Sequence, residues 1–340
     1  MALSRKSFLL TGAVLPLGAL LAACGSTGPA GSSGGGTTIT HAFGTTEVPT
    51  EVSRIASVNW ANQDVALALG IMPVGFAAQT WGVEDGSGML AWTKEKVDEL
   101  VAAGAEQPVL FDETDGIDYE AVAATTPDII LAAYSGLDQE SYDTLTKIAP
   151  TVAYPSFPWT TPWREMITMD SQAMNKEAEG KALISDLEQQ ITEALAPYPQ
   201  IRGKAGAFFY ATPADMSSIG YYTPGDPRTG FLADLGMSVP PSVQAAADAD
   251  PETFFVQVAA ENADTLSDVD LMVMYGDGSE LAALQADPLL GTIPAIKNGA
   301  IAWVGNGTPL SASTNPGPLS IPWGIKEYLR LLGEAASKVA

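Results

Sequence analysis

Residues 175–198, NKEAEGKALISDLEQQITEALAPY, constrain the chain more than any other stretch. Apolar residues recur at Ala178, Leu183, Leu187, Ile191 and Leu195, mostly four apart, which lays them on one face of an α-helix. Asn175 is placed to cap the start, and Glu177 precedes Lys181 by four residues, the favourable order for a helical ion pair. Pro197 lacks an amide donor and biases Ala196 away from helical angles, so the helix ends there. About 22 residues at ~1.5 Å each make a rod of roughly 33 Å. In isolation such a rod is an ordinary surface helix. Here it lies near mid-chain, between two halves of similar pattern, and is long enough to span two small domains side by side.

The rest of the chain supports two domains. At 340 residues, with 46% hydrophobic residues, it has enough apolar material for a large core. Lysine and arginine total 16 against 40 acids, so nucleic acid is excluded as a partner, because phosphate binding needs clustered basic side chains. One cysteine rules out an intramolecular disulfide and a thiolate cluster for zinc or iron–sulfur. The one histidine, His41, lies beside a Gly- and Thr-rich stretch and reads as solvated. Histidine poverty also disfavours direct capture of zinc or manganese.

Residues 1–23 read as an export signal, with Arg5 and Lys6 ahead of an apolar, small-residue run broken by Pro16. The run ends Leu21-Ala22-Ala23-Cys24-Gly25, which resembles a bacterial lipobox and marks Cys24 for lipidation. Ser4-Arg5-Lys6-Ser7-Phe8-Leu9 is also similar to a twin-arginine signal with lysine in the second place, so the export route stays open. Residues 24–36, rich in Gly, Ser and Thr, read as a flexible tether. The expected product is exported and lipid-anchored to the outer face of the cytoplasmic membrane.

From residue 37, strands alternate with helices. Strand patterns fall at 54–58, 72–77, 109–111, 128–133 and 151–154, with helical patterns at 63–70, 93–103, 119–124 and 141–148. After the long helix the alternation restarts, with strands at 205–210, 270–274 and 300–304, and helices at 230–236, 281–285 and 322–332. The expected organisation is a lobe over 37–170, the connecting helix over 171–198 and a second lobe over 199–340. The fold class is α/β: two Rossmann-like lobes with parallel-rich sheets joined by one long helix.

A weak internal repeat ties the halves together. Leu69-Gly70-Ile71 and Leu235-Gly236-Met237 each close a helix. Glu120 precedes an aliphatic strand that ends in Tyr134, Glu261 precedes one that ends in Tyr275, and both intervals are 14 residues. Each tyrosine falls just past the carboxyl end of a parallel strand, the edge where open α/β sheets bind ligands.

Several stretches, in this order, carry a family resemblance: 66–75 (ALALGIMPVG), 119–131 (YEAVAATTPDIIL), 142–152 (YDTLTKIAPTV), Trp163-Arg164 and 293–299 (IPAIKNG). Together they cover most of residues 50–335. The chain resembles the helix-linked substrate-binding lipoproteins of bacterial ABC importers for ferric siderophores, related to cobalamin- and haem-binding members. The resemblance implies that Glu120 and Glu261, one on each lobe, dock to arginines of the ABC permease. The alternative for each is a solvated glutamate at a helix start. It also implies a ligand pocket at the strand ends, with Trp60, Trp81 and Tyr134 from the first lobe and Tyr221, Tyr222, Arg228 and Tyr275 from the second. Aromatic faces suit a large, partly apolar chelate, and arginine donates to hydroxamate or carboxylate oxygens. Ordinary core packing remains open for each aromatic.

Hydroxamate-binding members often carry an arginine shortly before the first-lobe glutamate; here that loop holds Asp112, Glu113 and Asp115. The donor is therefore absent or comes from the other lobe. With so few basic residues, a neutral or cationic ferric hydroxamate fits better than an anionic tricatecholate or citrate complex. The expected protein is a monomeric binding protein, not an enzyme. It has no cofactor of its own and no protein metal ligands, and the iron is held by the siderophore. A cobalamin or haem carrier on the same fold is the nearest alternative, with Tyr134 or Tyr275 as a haem ligand. A hydrolase is confined to carboxylate pairs such as Asp112 and Glu113, since no histidine is placed for a triad. A purely structural surface lipoprotein would have no pocket.

Overall fold

The computed structural model describes residues 36–212 and 215–339. The export signal, Cys24 and nearly all of the tether lie outside the described residues. In chain order the first half comprises a hairpin of β1 (Thr38–His41) and β2 (Gly44–Glu47), then β3 (Ile55–Ser57), α1 (Gln63–Ala68), β4 (Gly75–Ala77), α2 (Ala91–Ala102), β5 (Val109–Phe111), α3 (Tyr119–Ala124), β6 (Ile129–Ala132), α4 (Gln139–Leu145) and β7 (Thr151–Ala153). Two helices follow, α5 (Trp163–Ala173) and α6 (Glu177–Leu195). The second half runs through β8 (Gly206–Thr212), β9 (Asp215–Tyr222), α7 (Pro227–Asp234), α8 (Pro241–Ala249), β10 (Phe255–Ala259), β11 (Leu271–Met274), α9 (Leu281–Ala286), α10 (Pro294–Asn298), β12 (Ile301–Trp303), α11 (Pro309–Ser313) and α12 (Ser320–Ala336).

Each half builds one five-stranded sheet. The first has the order β5-β4-β3-β6-β7 and is parallel throughout. The second has the order β10-β9-β8-β11-β12. There β8, β11 and β12 are parallel, and β9 is antiparallel to both β8 and β10. The difference follows from connectivity. A helix carries the chain from β3 to β4, whereas β9 follows β8 directly and must return beside it. The central strands are aliphatic runs, Ile129-Ile130-Leu131-Ala132 and Leu271-Met272-Val273-Met274, and every residue in both is buried. That pattern belongs to a strand covered on both faces.

The internal repeat is structural. Asp128 accepts from the amides of Ser53 (2.8 Å) and Arg54 (2.8 Å) just ahead of β3, and Asp270 accepts from the amide of Ala205 (2.8 Å) just ahead of β8. Both helix stops have one geometry. Gly70 (φ 76°) and Gly236 (φ 77°) adopt the left-handed region, while the following amides of Ile71 and Met237 return to Ala66 and Leu232 carbonyls. This is the Schellman arrangement that glycine favours.

The connecting helix is shorter than the sequence suggests, and its start is different. α6 begins at Glu177, and the N-cap position, Lys176, makes no side-chain capping bond. Asn175 adopts φ 56° and donates its side-chain amide to the Pro49 carbonyl (2.9 Å), so it ends the preceding turn instead of capping α6. The Glu177–Lys181 ion pair forms at 2.7 Å. Leu187, Ile191 and Leu195 are buried, at about 1.5–3 kcal/mol each. Ala178 is exposed. Gly180 takes the buried face in its place, because a Cβ there would lie 2.1 Å from Ser171 Oγ of α5.

His41 corrects the sequence reading. It is buried, bonded to Thr46 Oγ1 (2.9 Å) and packed 5.2 Å from the Tyr142 ring. The β1–β2 hairpin folds against β7, where Thr46 donates to the Thr151 carbonyl at 2.6 Å, and this covers the imidazole. Burial lowers the His41 pKa from its ordinary value.

Candidate ligand-binding cleft

The carboxyl ends of β3, β4 and β6 deliver Trp60, Trp81 and Tyr134. Those of β8 and β11 deliver Tyr210 and Tyr275, and the first turn of α7 delivers Arg228. These side chains border one cavity of about 480 Å³. Six of the seven ligand residues expected from sequence line it: Trp60, Trp81, Tyr134, Tyr222, Arg228 and Tyr275. The aromatic walls meet across the cleft, with Trp81 standing edge-on to Tyr275 at 5.6 Å and tilted against Trp60 at 6.1 Å. Tyr221 does not line it. Adjacent residues of a strand face opposite ways, so Tyr221 is 4% exposed and packs on Phe209 at 5.9 Å behind the sheet.

Arg228 is held by its own helix start. Asp226 caps α7, with Pro227 at the first helical position, and accepts the Arg228 amide at 2.9 Å. Its carboxylate also takes Arg228 Nε (2.8 Å) and Nη2 (2.6 Å), and Nη1 donates to Tyr275 OH (2.7 Å). The guanidinium stacks 3.7 Å over the Tyr222 ring. One N–H on each terminal nitrogen remains for a ligand. Burial opposes the charge on Arg228, but the Asp226 hydrogen bonds and charge outweigh it and raise the pKa. Burial raises the Tyr134 pKa, helped by the charge of Asp226 across the cleft. Burial likewise raises Tyr275, against the opposing charge and hydrogen bond of Arg228.

Asn62, fully buried, fixes the first-lobe loops. Its amide donates to the carbonyls of Val58 (2.9 Å) and Tyr134 (3.0 Å), and its oxygen accepts the Tyr134 amide (2.8 Å). Asn59 and Ala61 on the same loop, and Trp159 opposite, have left-handed φ near 60°. Such strained residues persist where surrounding bonds hold them. Gly136 leaves room for Trp159, since a Cβ there would lie 2.3 Å from its indole nitrogen. Trp159 then stands edge-on to Tyr134 at 5.4 Å.

Trp159, Tyr210, Phe254, Asn306 and Asn315 also border the cavity and were missed in the sequence. Asn306 follows β12 within Gly305-Asn306-Gly307, the strand-end position that identified Tyr134 and Tyr275, so the same rule would have found it. Glu120 opens α3 and Glu261 opens the 3₁₀ helix Ala260–Leu266. Both are exposed, and neither has an ion-pair partner among the described residues. No cluster of three or more metal-ligating side chains occurs among the described residues, and no described helix is long and apolar enough to cross a membrane.

Two α/β lobes with strand-end aromatics and one clamped arginine facing a shared cleft define a two-lobed binding protein. The profile of the periplasmic binding protein family matches residues 55–306, and the chain belongs to that family. The crystal structure of Streptococcus pneumoniae TIGR4 PiaA in complex with ferrichrome superposes with a TM-score of 0.84 at 46% identity, covering 89% of this chain and 99% of that one. The ferric enterobactin-binding periplasmic protein FepB of Escherichia coli O6:H1 is 26% identical over 286 residues, 79% of this chain and 84% of that protein. The probable siderophore-binding lipoprotein YfiY of Bacillus subtilis (strain 168) is 30% identical over 188 residues, and the match spans about half of each protein, 55% and 53%.

Proposed function

We propose that the chain is an extracytoplasmic substrate-binding lipoprotein that captures a ferric siderophore of the hydroxamate type in the cleft and delivers it to an ABC importer. The observation that carries this reading is the charge balance of the aromatic cleft. Its charged lining residues are Asp226 and Arg228, which neutralise one another while leaving guanidinium N–H groups and Tyr275 OH as donors. A neutral or cationic chelate with partly charged oxygens suits such a wall, and a highly anionic tricatecholate does not. The arginine that hydroxamate binders often carry in the first lobe is supplied here from the second. The ferrichrome complex of the pneumococcal relative supports the same ligand class. Iron is part of the cargo and needs no protein ligand, and the protein has no catalytic role.

The test is tryptophan quenching, with ferrioxamine, ferrichrome, a ferric tricatecholate, ferric citrate, haemin and cobalamin titrated in parallel. Saturable quenching by a ferric hydroxamate, absent with the iron-free compound, supports the reading. A response to haemin or cobalamin alone moves the function to a haem or corrinoid carrier, and silence from all six sinks it.

Export, lipidation at Cys24, anchoring to the outer face of the membrane and a monomeric state complete the proposal. Glu120 and Glu261 are its permease-docking residues, since exposed carboxylates on separate lobes register a partner bearing arginines. Reversing both charges is expected to abolish uptake and leave ligand affinity intact. Lost affinity would count against docking.

A further inference from the structure

The aromatic wall of the cleft has a second chamber behind it. A cavity of about 260 Å³ shares Trp60, Trp81 and Trp159 with the main one and is bordered beyond them by Asp112 and Glu113. No lysine or arginine lines it. Glu113 is partly buried and accepts only from Asn59, through its amide (3.0 Å) and side chain (2.9 Å), with no cation beside it. Burial pushes its pKa up against those hydrogen bonds. Asp112 accepts the Thr114 amide at 3.0 Å, and the Thr114 hydrogen bonds hold its carboxyl below the ordinary range. A desolvated carboxylate favours a nearby positive charge, and indole faces attract the same charge. The cleft is therefore polarised, with donors on the second-lobe wall at Arg228 and Tyr275 and acceptors on the first-lobe side at Asp112 and Glu113.

Resting on the siderophore reading above, we propose that this chamber is a subsite for a primary ammonium group on the tail of a ferric hydroxamate. The chelate oxygens face Arg228 and Tyr275, and the ammonium enters between the indoles and the two carboxylates. The ligand class is thereby narrowed to linear, cationic trihydroxamate chelates. The tail adds a charge contact without altering how the iron is wrapped, so a matched pair of probes isolates it.

The probes are ferrioxamine B, which ends in a free ammonium, and its N-acetylated form, which carries the same iron centre and no charge. Affinities of the protein for both are measured by fluorescence titration, with ferrichrome as a tail-free reference. The ammonium form is expected to bind about tenfold tighter, equivalent to ~1.4 kcal/mol. Glu113→Gln keeps a carbonyl acceptor for Asn59 and removes the charge, and Asp112→Asn keeps one for the Thr114 amide and removes the charge at the chamber's exposed side. In each variant the ratio between the two forms is expected to fall to within about twofold, a readout that a general loss of affinity leaves unmoved. Equal affinities in the unmodified protein, or a ratio unchanged in both variants, overturn the subsite and leave the siderophore reading standing. Binding of ferrichrome with rejection of both ferrioxamines also overturns it. No response to any ferric chelate overturns the siderophore reading and the subsite with it.

Discussion

Replacing Asn62 by alanine tests how the first-lobe half of the cleft is held. The side chain is 0% exposed and spends its amide and oxygen on the Val58 carbonyl and on both backbone groups of Tyr134. Alanine leaves those three buried backbone groups without partners. Each orphaned group costs about 1–3 kcal/mol, and a water admitted to the vacated space recovers part of it. A net loss of about 3–5 kcal/mol follows, a large share of the ~5–15 kcal/mol typical of a folded protein. At an m-value of about 3 kcal/mol/M, the urea midpoint falls by roughly 1 M or more. Fluorescence and far-UV circular dichroism should shift together for that number to stand. Aspartate at this position should be worse than alanine, because it sets carboxylate oxygens against the Val58 and Tyr134 carbonyls. Affinity should drop as well, since Tyr134 and Trp60, whose carbonyl also accepts from the Asn62 amide (3.3 Å), lose their common anchor. A loss below about 1 kcal/mol, or an aspartate variant as stable as the parent, would falsify the claim that Asn62 organises these loops.

Three further outcomes follow from the same structure. Arg228→Lys keeps the charge but loses the fork on Asp226 and the reach to Tyr275, so ferric chelate affinity should fall about 10- to 100-fold, the equivalent of ~1.4–2.7 kcal/mol; unchanged affinity would remove Arg228 from the ligand face. Burial pushes the Asp64 carboxyl up to about 7, against hydrogen bonds from Thr93, Trp92 and Gln63. From about pH 4 to about pH 7 the unfolded chain is ionised there while the folded one keeps its proton, so this group's stabilising contribution is lost as pH rises, by up to about 4 kcal/mol. Asp64→Asn should therefore gain on the parent across that window, and parallel stability profiles would refute the assignment. Asp234, partly exposed, pairs with Arg164 at 2.9 Å, and Asp234→Ala should cost about 1–2 kcal/mol after allowance for that exposure. The loss should be less than additive with Arg164→Ala, and strict additivity would show that the pair does not act as a unit.

What the sequence revealed, and what it hid, divides by range of interaction. The two buried central strands, the glycine helix stops and the matched Glu–Tyr spacings are local patterns, and each is legible because its cause lies within a few residues. α5 was hidden because it begins after Pro162 with no side-chain cap to mark its start, and Trp163-Arg164 stood out only through the family resemblance. β9 was hidden because the first half of Asp215–Tyr222, Asp-Met-Ser-Ser, has a single apolar residue and no strand pattern, and its partners β8 and β10 are what make it a strand. That omission explains Tyr221. Once 221 and 222 are known to be neighbours in a strand, only one of them can face the cleft. His41 depended on Tyr142, about a hundred residues away, to become buried, and no nearby residue signals that contact. The second chamber was equally out of reach, because Asp112 and Glu113 are only neighbouring acids of one loop until the fold brings Trp60, Trp81 and Trp159 to the same cavity.

α7 connects the ligand face of the second lobe to the helices between the lobes. Its first turn carries Arg228, and its last residue, Asp234, accepts Trp163 Nε1 (2.9 Å) and Arg164 Nη1 (2.9 Å) from α5. Arg164 stacks 4.1 Å from the Trp163 ring and donates from Nε to Glu188 of α6 (2.7 Å). Six residue steps of helix, about 9 Å, thus separate the residue that carries the ligand-facing guanidinium from a clamp on α5 and α6. A short helix bonded at both ends transmits position better than a loop does, so Arg228 is referenced to the linker and not only to its own sheet. In the first lobe Asn62 gives Trp60 and Tyr134 a comparable fixed reference. With both walls held before a ligand arrives, less ordering has to be offset on binding, and affinity rests on the fit of the chelate.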